Sequence, residues 1–129
     1  LSAKLSYLPD WSYSRLEAAK KYNQIFKDMP GIVNPEIHEN VKHVFHLYVI
    51  RVKNRTGLQE FLKQNDISTG IHYPCPLPYL EAYKYMGHTA EDFPVAYSYK
   101  DEILSLPMFP EITSEQIEYV AANIKKFLL

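Results

Sequence analysis

The stretch HVFHLYVIRV, residues 43 to 52, narrows the choice of fold more than any other part of this chain. Side chains alternate along an extended strand. Val44, Tyr48, Ile50 and Val52 therefore share one face with His46, and Phe45, Leu47 and Val49 share the other with His43 and Arg51. Apolar residues on both faces predict a central strand, with layers on each side or with a second domain covering one of them.

The remaining patterns fall around this strand. Helical spacing runs through Leu16, Ala19, Tyr22, Ile25, Phe26 and Met29, with a basic flank, until Pro30-Gly31 stops it. Thr56 to Gln59 reads as a capping box for a short helix with Leu58, Phe61 and Leu62 inward. Residues 67 to 73, ISTGIHY, alternate as a second strand. Leu80 to Met86 reads as a short helix ended by Gly87, and Asp92-Phe93-Pro94 opens another. ILSLPMFP, residues 103 to 110, gives a buried strand ended by Pro107. The last helix begins at a Thr113 to Gln116 capping box and turns Ile117, Val120, Ala121, Ile124, Phe127 and Leu128 inward. This order predicts an α+β, two-layer small domain, a short sheet of three to four strands covered by helices.

Leu1, Leu5 and Leu8 already stand at helical spacing, yet no capping residue precedes Leu1, and Pro9 interrupts the pattern. This predicts a chain cut from a longer one in mid-element. With 129 residues, 14 basic and 15 acidic, it is long enough for one real core. Its charge gives no reason to expect a nucleic acid or an anionic membrane as partner. No apolar run approaches the roughly 20 residues that span a bilayer. The composition leads us to expect a soluble, cytoplasmic protein.

Few residues offer chemistry. The four glycines stand apart and make no phosphate loop, and no metal-ligand spacing occurs. The lone Cys75 excludes an internal disulfide framework. Prolines flank it, and no basic cluster lies nearby to lower its pKa, which argues against a nucleophile paired with His72. GIHYPCPLPY, residues 70 to 79, is too stiff and too polar-aromatic for an ordinary connector. His72 in it either donates a hydrogen bond to an anionic or carbonyl ligand or is satisfied by backbone in a proline-braced corner. Tyr73 has the same two readings, burial of its ring being the stronger. Arg51 in the central strand needs an anion, a local acid being favoured over a ligand carboxylate.

Three stretches taken together go further. HVFHLYVIR (43 to 51), GIHYPCPLPYLEAY (70 to 83) and ILSLPMFPEITSEQIEYV (103 to 120) resemble, in order and spacing, the C-terminal domain of the DegT/DnrJ/StrS-type nucleotide-sugar aminotransferases of fold type I. YLPDWSYSRLEAAKKYN (7 to 23) is similar to that family's linker helix. The resemblance implies residues 1–30 as a linker helix from a large domain absent here and residues 31–129 as the small domain. It implies a pyridoxal-phosphate enzyme that moves an amino group, usually from glutamate, onto a keto group of a nucleotide-linked sugar, as a homodimer at full length. The Schiff-base lysine would belong to the large domain, so the chain alone is expected to be inactive. His72, and with it Tyr73, would contact the substrate side of the cofactor. The family commonly reads His-Tyr-Pro-x-Pro-x-His-x-Gln, whereas Pro78 and Leu80 stand here at the second His and the Gln. A stand-alone, non-catalytic binding module of the same fold is the alternative.

Overall fold

The computed structural model describes residues 2–129. Leu1, used above for helical spacing, lies outside the described residues. The elements in order are α1 (Ser2–Leu5), α2 (Leu8–Phe26), β1 (Tyr48–Arg51), α3 (Arg55–Gln64), two 3-10 turns (Leu77–Tyr79 and Glu81–Met86), α4 (Pro94–Tyr99), β2 (Ile103–Leu106) and α5 (Ser114–Leu128). Pro9 stands in the first turn of α2, where its missing N–H costs nothing. The break between Leu5 and Leu8 is the interruption expected at Pro9, which itself starts the long helix.

β1 and β2 pair antiparallel, with Tyr48 opposite Leu106, Val49 opposite Ser105, Ile50 opposite Leu104 and Arg51 opposite Ile103. The inner face of this pair buries Tyr48, Ile50, Leu104 and Leu106. Below it lie the apolar stripes of the helices: Ala18, Ala19, Tyr22 and Phe26 of α2, Leu58 and Leu62 of α3, and Ile117, Val120, Ala121 and Ile124 of α5. α5 packs against both α2 and α3. The two layers are therefore helices and sheet, as the periodicities predict.

Two large polar side chains sit inside this core. The rings of Tyr22 and Tyr48 stack with centroids 4.8 Å apart. The Tyr22 hydroxyl donates to the Pro107 carbonyl at 3.1 Å, and that of Tyr48 to Asn23 Oδ1 at 2.6 Å. Each buried hydroxyl keeps a partner, so the rings add packing without an unmet polar group.

Four expectations are corrected. The sheet has two strands, not three to four. The flanking segments contribute one bridge each, Val33 to Arg51 on one side and Gly70 to Ser105 on the other. Pro35 and Pro74, lacking N–H groups, stand just beyond those bridges and cannot donate to a longer ladder. The strand of residues 43 to 52 is shortened to Tyr48–Arg51. Phe45 takes a left-handed backbone (φ 44°), and its N–H donates to His43 Nδ1 at 3.0 Å. That turn breaks the alternation, so Phe45 joins the core face while Val44 is left exposed. The cap of α3 is Asn54, whose Oδ1 accepts from the Gly57 N–H at 3.2 Å, because Thr56 is already inside the helix. Glu81–Met86 forms a 3-10 turn where an α-helix is expected over Leu80 to Met86, although Gly87 does end it with φ 67°. The Thr113–Gln116 capping box is present in both directions, at 2.9 and 3.3 Å.

Burial raises the hydroxyl pKa of Tyr22, and burial followed by the neighbouring Tyr22 raises that of Tyr48, from an ordinary phenol value of 10.0. The folded state thus holds both protons to higher pH than the unfolded chain does. Their contribution is complete below pH 10.0 and declines as pH rises beyond it. Urea midpoints should fall between about pH 10 and about pH 12, and Tyr22→Phe or Tyr48→Phe should flatten that decline.

Candidate functional site on the open face of the sheet

The alternation that buries Tyr48, Ile50, Leu104 and Leu106 turns Val49, Arg51, Ile103 and Ser105 to the other face. No helix of the α2–α3–α5 layer covers that face. The chain between Ile67 and Leu104 runs along it as bridge, proline loop, 3-10 turns and α4, and none of residues 68–103 is buried. This segment carries GIHYPCPLPY.

Gly70 exchanges two backbone hydrogen bonds with Ser105, at 3.0 and 2.8 Å, which sets the start of the loop against β2. Two residues later the His72 imidazole folds back over Gly70. A Cβ added at Gly70 would lie 2.6 Å from His72 Cε1, so the glycine makes room for the ring. His72 Nδ1 lies 2.9 Å from Ser105 Oγ, at hydrogen-bond distance, while the residue itself remains exposed. Its partner is thus a side chain on the neighbouring strand, and the backbone-satisfied reading does not describe it. The Tyr73 ring stands edge-on to the imidazole at 5.7 Å and is 73% exposed, so the burial expected of it is not realised within this chain.

Beside these residues a cavity of ≈ 540 Å³ opens between the proline loop and α4. Tyr73, Pro74, Leu77, Leu80, Tyr99 and Ile103 make most of its apolar wall, with Cys75 and Lys100 as its polar members. Leu80, one of the two departures from the family pattern, is therefore a wall residue. Lys100 is paired with Asp101, and that hydrogen bond holds its ammonium above the ordinary lysine value. An amine kept charged in this way is poorly suited to forming an imine. The cavity wall presents no carboxylate for a pyridine nitrogen, and Pro74 and Pro76 in it have no N–H to offer a phosphate. These residues do not fit pyridoxal phosphate as its holding site.

Arg51 finds a local acid, Glu102 Oε2 at 3.2 Å, and its guanidinium lies 4.0 Å from the centre of the Tyr99 ring. The structural reading of Arg51 holds. Cys75 is a free thiol whose polar contact is the adjacent Pro76 carbonyl, at 3.6 Å, while Ser105 engages His72. The structure assembles no Cys75–His72 pair. Among the described residues there is no cluster of His, Cys, Asp or Glu able to hold a metal. No helix of the described residues is long and apolar enough to cross a membrane. Ser105, Tyr99 and Lys100 escaped sequence reasoning; the one faint signal was a lone hydroxyl inside the otherwise apolar strand ILSL.

Fold and motif order together define the small-domain architecture of an aminotransferase. Residues 1–125 match the DegT/DnrJ/EryC1/StrS aminotransferase family, and the chain belongs to it. It is 40% identical over 125 residues to the erythromycin biosynthesis sensory transduction protein EryC1 of Saccharopolyspora erythraea, covering 97% of this chain and 34% of that protein. It is 37% identical over 127 residues to the dTDP-3-amino-3,6-dideoxy-alpha-D-galactopyranose transaminase of Aneurinibacillus thermoaerophilus, covering 98% and 34% respectively. The crystal structure of S. venezuelae DesV with a ketimine intermediate superposes with a TM-score of 0.93 at 28% identity, over 98% of this chain and 34% of DesV. The chain thus spans about a third of the length of the relatives it matches.

Gly70→Ala should push the imidazole off Ser105 and cost about 1 to 3 kcal/mol, because the buried Ser105 hydroxyl then loses its partner. A shifted His72 ring resonance together with a lowered urea midpoint is the expected pair of readings.

Proposed function

We propose that residues 31–129 are the C-terminal small domain, and residues 1–30 the linker helix, of a pyridoxal-phosphate-dependent aminotransferase. The longer protein would move an amino group from an amino acid, glutamate in our reading, onto a keto group of a nucleotide-linked sugar. The observation that carries this reading is the exposed His72, anchored on Ser105 beside an open cavity, in a chain of this family that spans a third of its relatives. The transaminase from Aneurinibacillus thermoaerophilus, named for a dTDP-linked amino sugar, supports the substrate class.

In this reading His72 and Tyr73 form one wall of the substrate cleft. His72 supplies a hydrogen bond from a ring that cannot swing freely, and Tyr73 supplies an exposed aromatic edge. The prolines at 74, 76 and 78 hold both in place, which matters because displacement near 1 Å is costly to rate. The holding site for the cofactor, with its imine-forming lysine, would lie in sequence outside residues 1–129. A homodimer in the cytoplasm is the state we assign to the full-length enzyme, and the chain by itself would be inactive.

Leu80 in the cavity wall, where the family commonly has Gln, favours a second reading, a stand-alone module that binds without chemistry. Two measurements separate them. The longer reading frame that contains this chain should transfer amino groups from glutamate to a keto sugar nucleotide, and His72→Ala in that protein should lower kcat/KM by about tenfold, the worth of one hydrogen bond. Tight binding of a sugar nucleotide by the 129-residue chain alone, without transfer by the longer protein, would establish the module instead.

A further inference from the structure

Ser105 is 4% exposed, and among the described residues the one hydrogen-bond partner of its Oγ is His72 Nδ1, at 2.9 Å. A serine hydroxyl carries one hydrogen and two lone pairs, whereas a neutral imidazole carries one N–H shared between two nitrogens. The two groups therefore have two ways to meet. If Nδ1 held the proton it would donate to Oγ, and the serine hydrogen would be left buried without an acceptor. If Nδ1 is bare, the hydroxyl hydrogen is used and nothing is orphaned. Leaving a buried donor unmet is the costlier arrangement.

From this geometry we propose that Ser105 is a positioning residue that donates to Nδ1 and so locks neutral His72 in the tautomer with its proton on Nε2. The register of the sheet makes the lock possible. Ser105 is held opposite Val49 on the open face, and its own backbone clamps Gly70, two residues from the imidazole. Gly70 contributes by lacking the Cβ that the ring would strike. The nitrogen left free on this exposed residue is then a fixed donor. It selects for an oxygen acceptor on the ligand, such as a carbonyl, phenolate or phosphate oxygen, and against an ammonium or another N–H.

The tautomer lock stands on the geometry alone; the ligand preference rests also on the proposed aminotransferase reading. The two fail separately. Nitrogen-15 correlation spectra of the 129-residue chain, at a pH where its histidines are neutral, report which ring nitrogen carries hydrogen. The exposed His46, for which no ring hydrogen bond occurs among the described residues, is the internal reference. His72 should show Nε2–H in about tenfold greater excess than His46 does. Ser105→Ala should bring His72 to the His46 ratio, and Gly70→Ala, which unseats the ring but keeps the hydroxyl, should do the same. A protonated Nδ1 in neutral His72, or a His72 ratio equal to that of His46 in the unsubstituted chain, overturns the proposal even if Ser105→Ala does not fold. In the full-length enzyme Ser105→Ala should raise KM for the keto sugar while Ser105→Thr, which keeps the hydroxyl, restores it. A null effect of His72→Ala on transfer would sink the cleft-wall role of His72 and the ligand preference with it, and leave the tautomer result intact.

Discussion

Everything in this domain depends on the register of one antiparallel pair. With Tyr48 opposite Leu106 and Ile50 opposite Leu104, four apolar side chains meet the helices, and the alternate positions, Val49, Arg51, Ile103 and Ser105, face away. A slip of β2 by one residue would place Ile103 and Ser105 in the core and Leu104 and Leu106 outside, and a slip of β1 would bury Arg51 and expose Tyr48 and Ile50. Both exchanges are costly, so the buried face holds the register. The same register delivers Ser105 to His72. Stability and site geometry thus come from one constraint.

The open face is organised differently from the core. Between Ile67 and Leu104 no residue is buried, and Tyr73, Leu77, Tyr85, Met86 and Val95 all stand well exposed. Apolar burial within this chain does little to order the segment. It is held instead by backbone restriction at its prolines and by scattered polar contacts: the Tyr79 hydroxyl donates to the Thr89 and Phe93 carbonyls, and the Thr89 N–H and hydroxyl donate to Asp92. Those contacts from Thr89 lower the Asp92 pKa. Arg55 reaches the carbonyls at the end of α4, and Arg51 ties Tyr99 and Glu102 to the sheet. Exposed apolar side chains on a segment fixed by other means suit the proposed reading, in which a neighbouring domain covers them.

What was legible beforehand divides along the range of the interaction. Helical stripes are legible at Tyr22, Phe26, Leu58, Leu62, Ile117 and Ile124, and so is the capping box at Thr113, whose two partners lie within one turn. Gly87 announced its left-handed stop for the same reason. The α3 cap falls at Asn54 rather than Thr56 and residues 81–86 wind as a 3-10 turn, but the larger departures are strands. Residues 43–47 and 67–73 carry strand-like alternation, yet a strand requires a partner, and alternation says nothing about whether one is available. Phe45 left the pattern through a local turn closed by His43, a contact with no signature in hydropathy.

The sequence by itself determined the buried faces of α2, α3 and α5, the capping box of α5, the family, and the prominence of His72 and Tyr73, since each depends on spacing along the chain. Tertiary structure alone decided that the sheet stops at two strands, that Arg51 is answered by Glu102, and that His72 rests on Ser105, 33 residues away. The reason is physical: periodicity records which side of an element is apolar, whereas a hydrogen bond across the sheet exists only once register, twist and a missing Cβ at Gly70 have brought two distant atoms together.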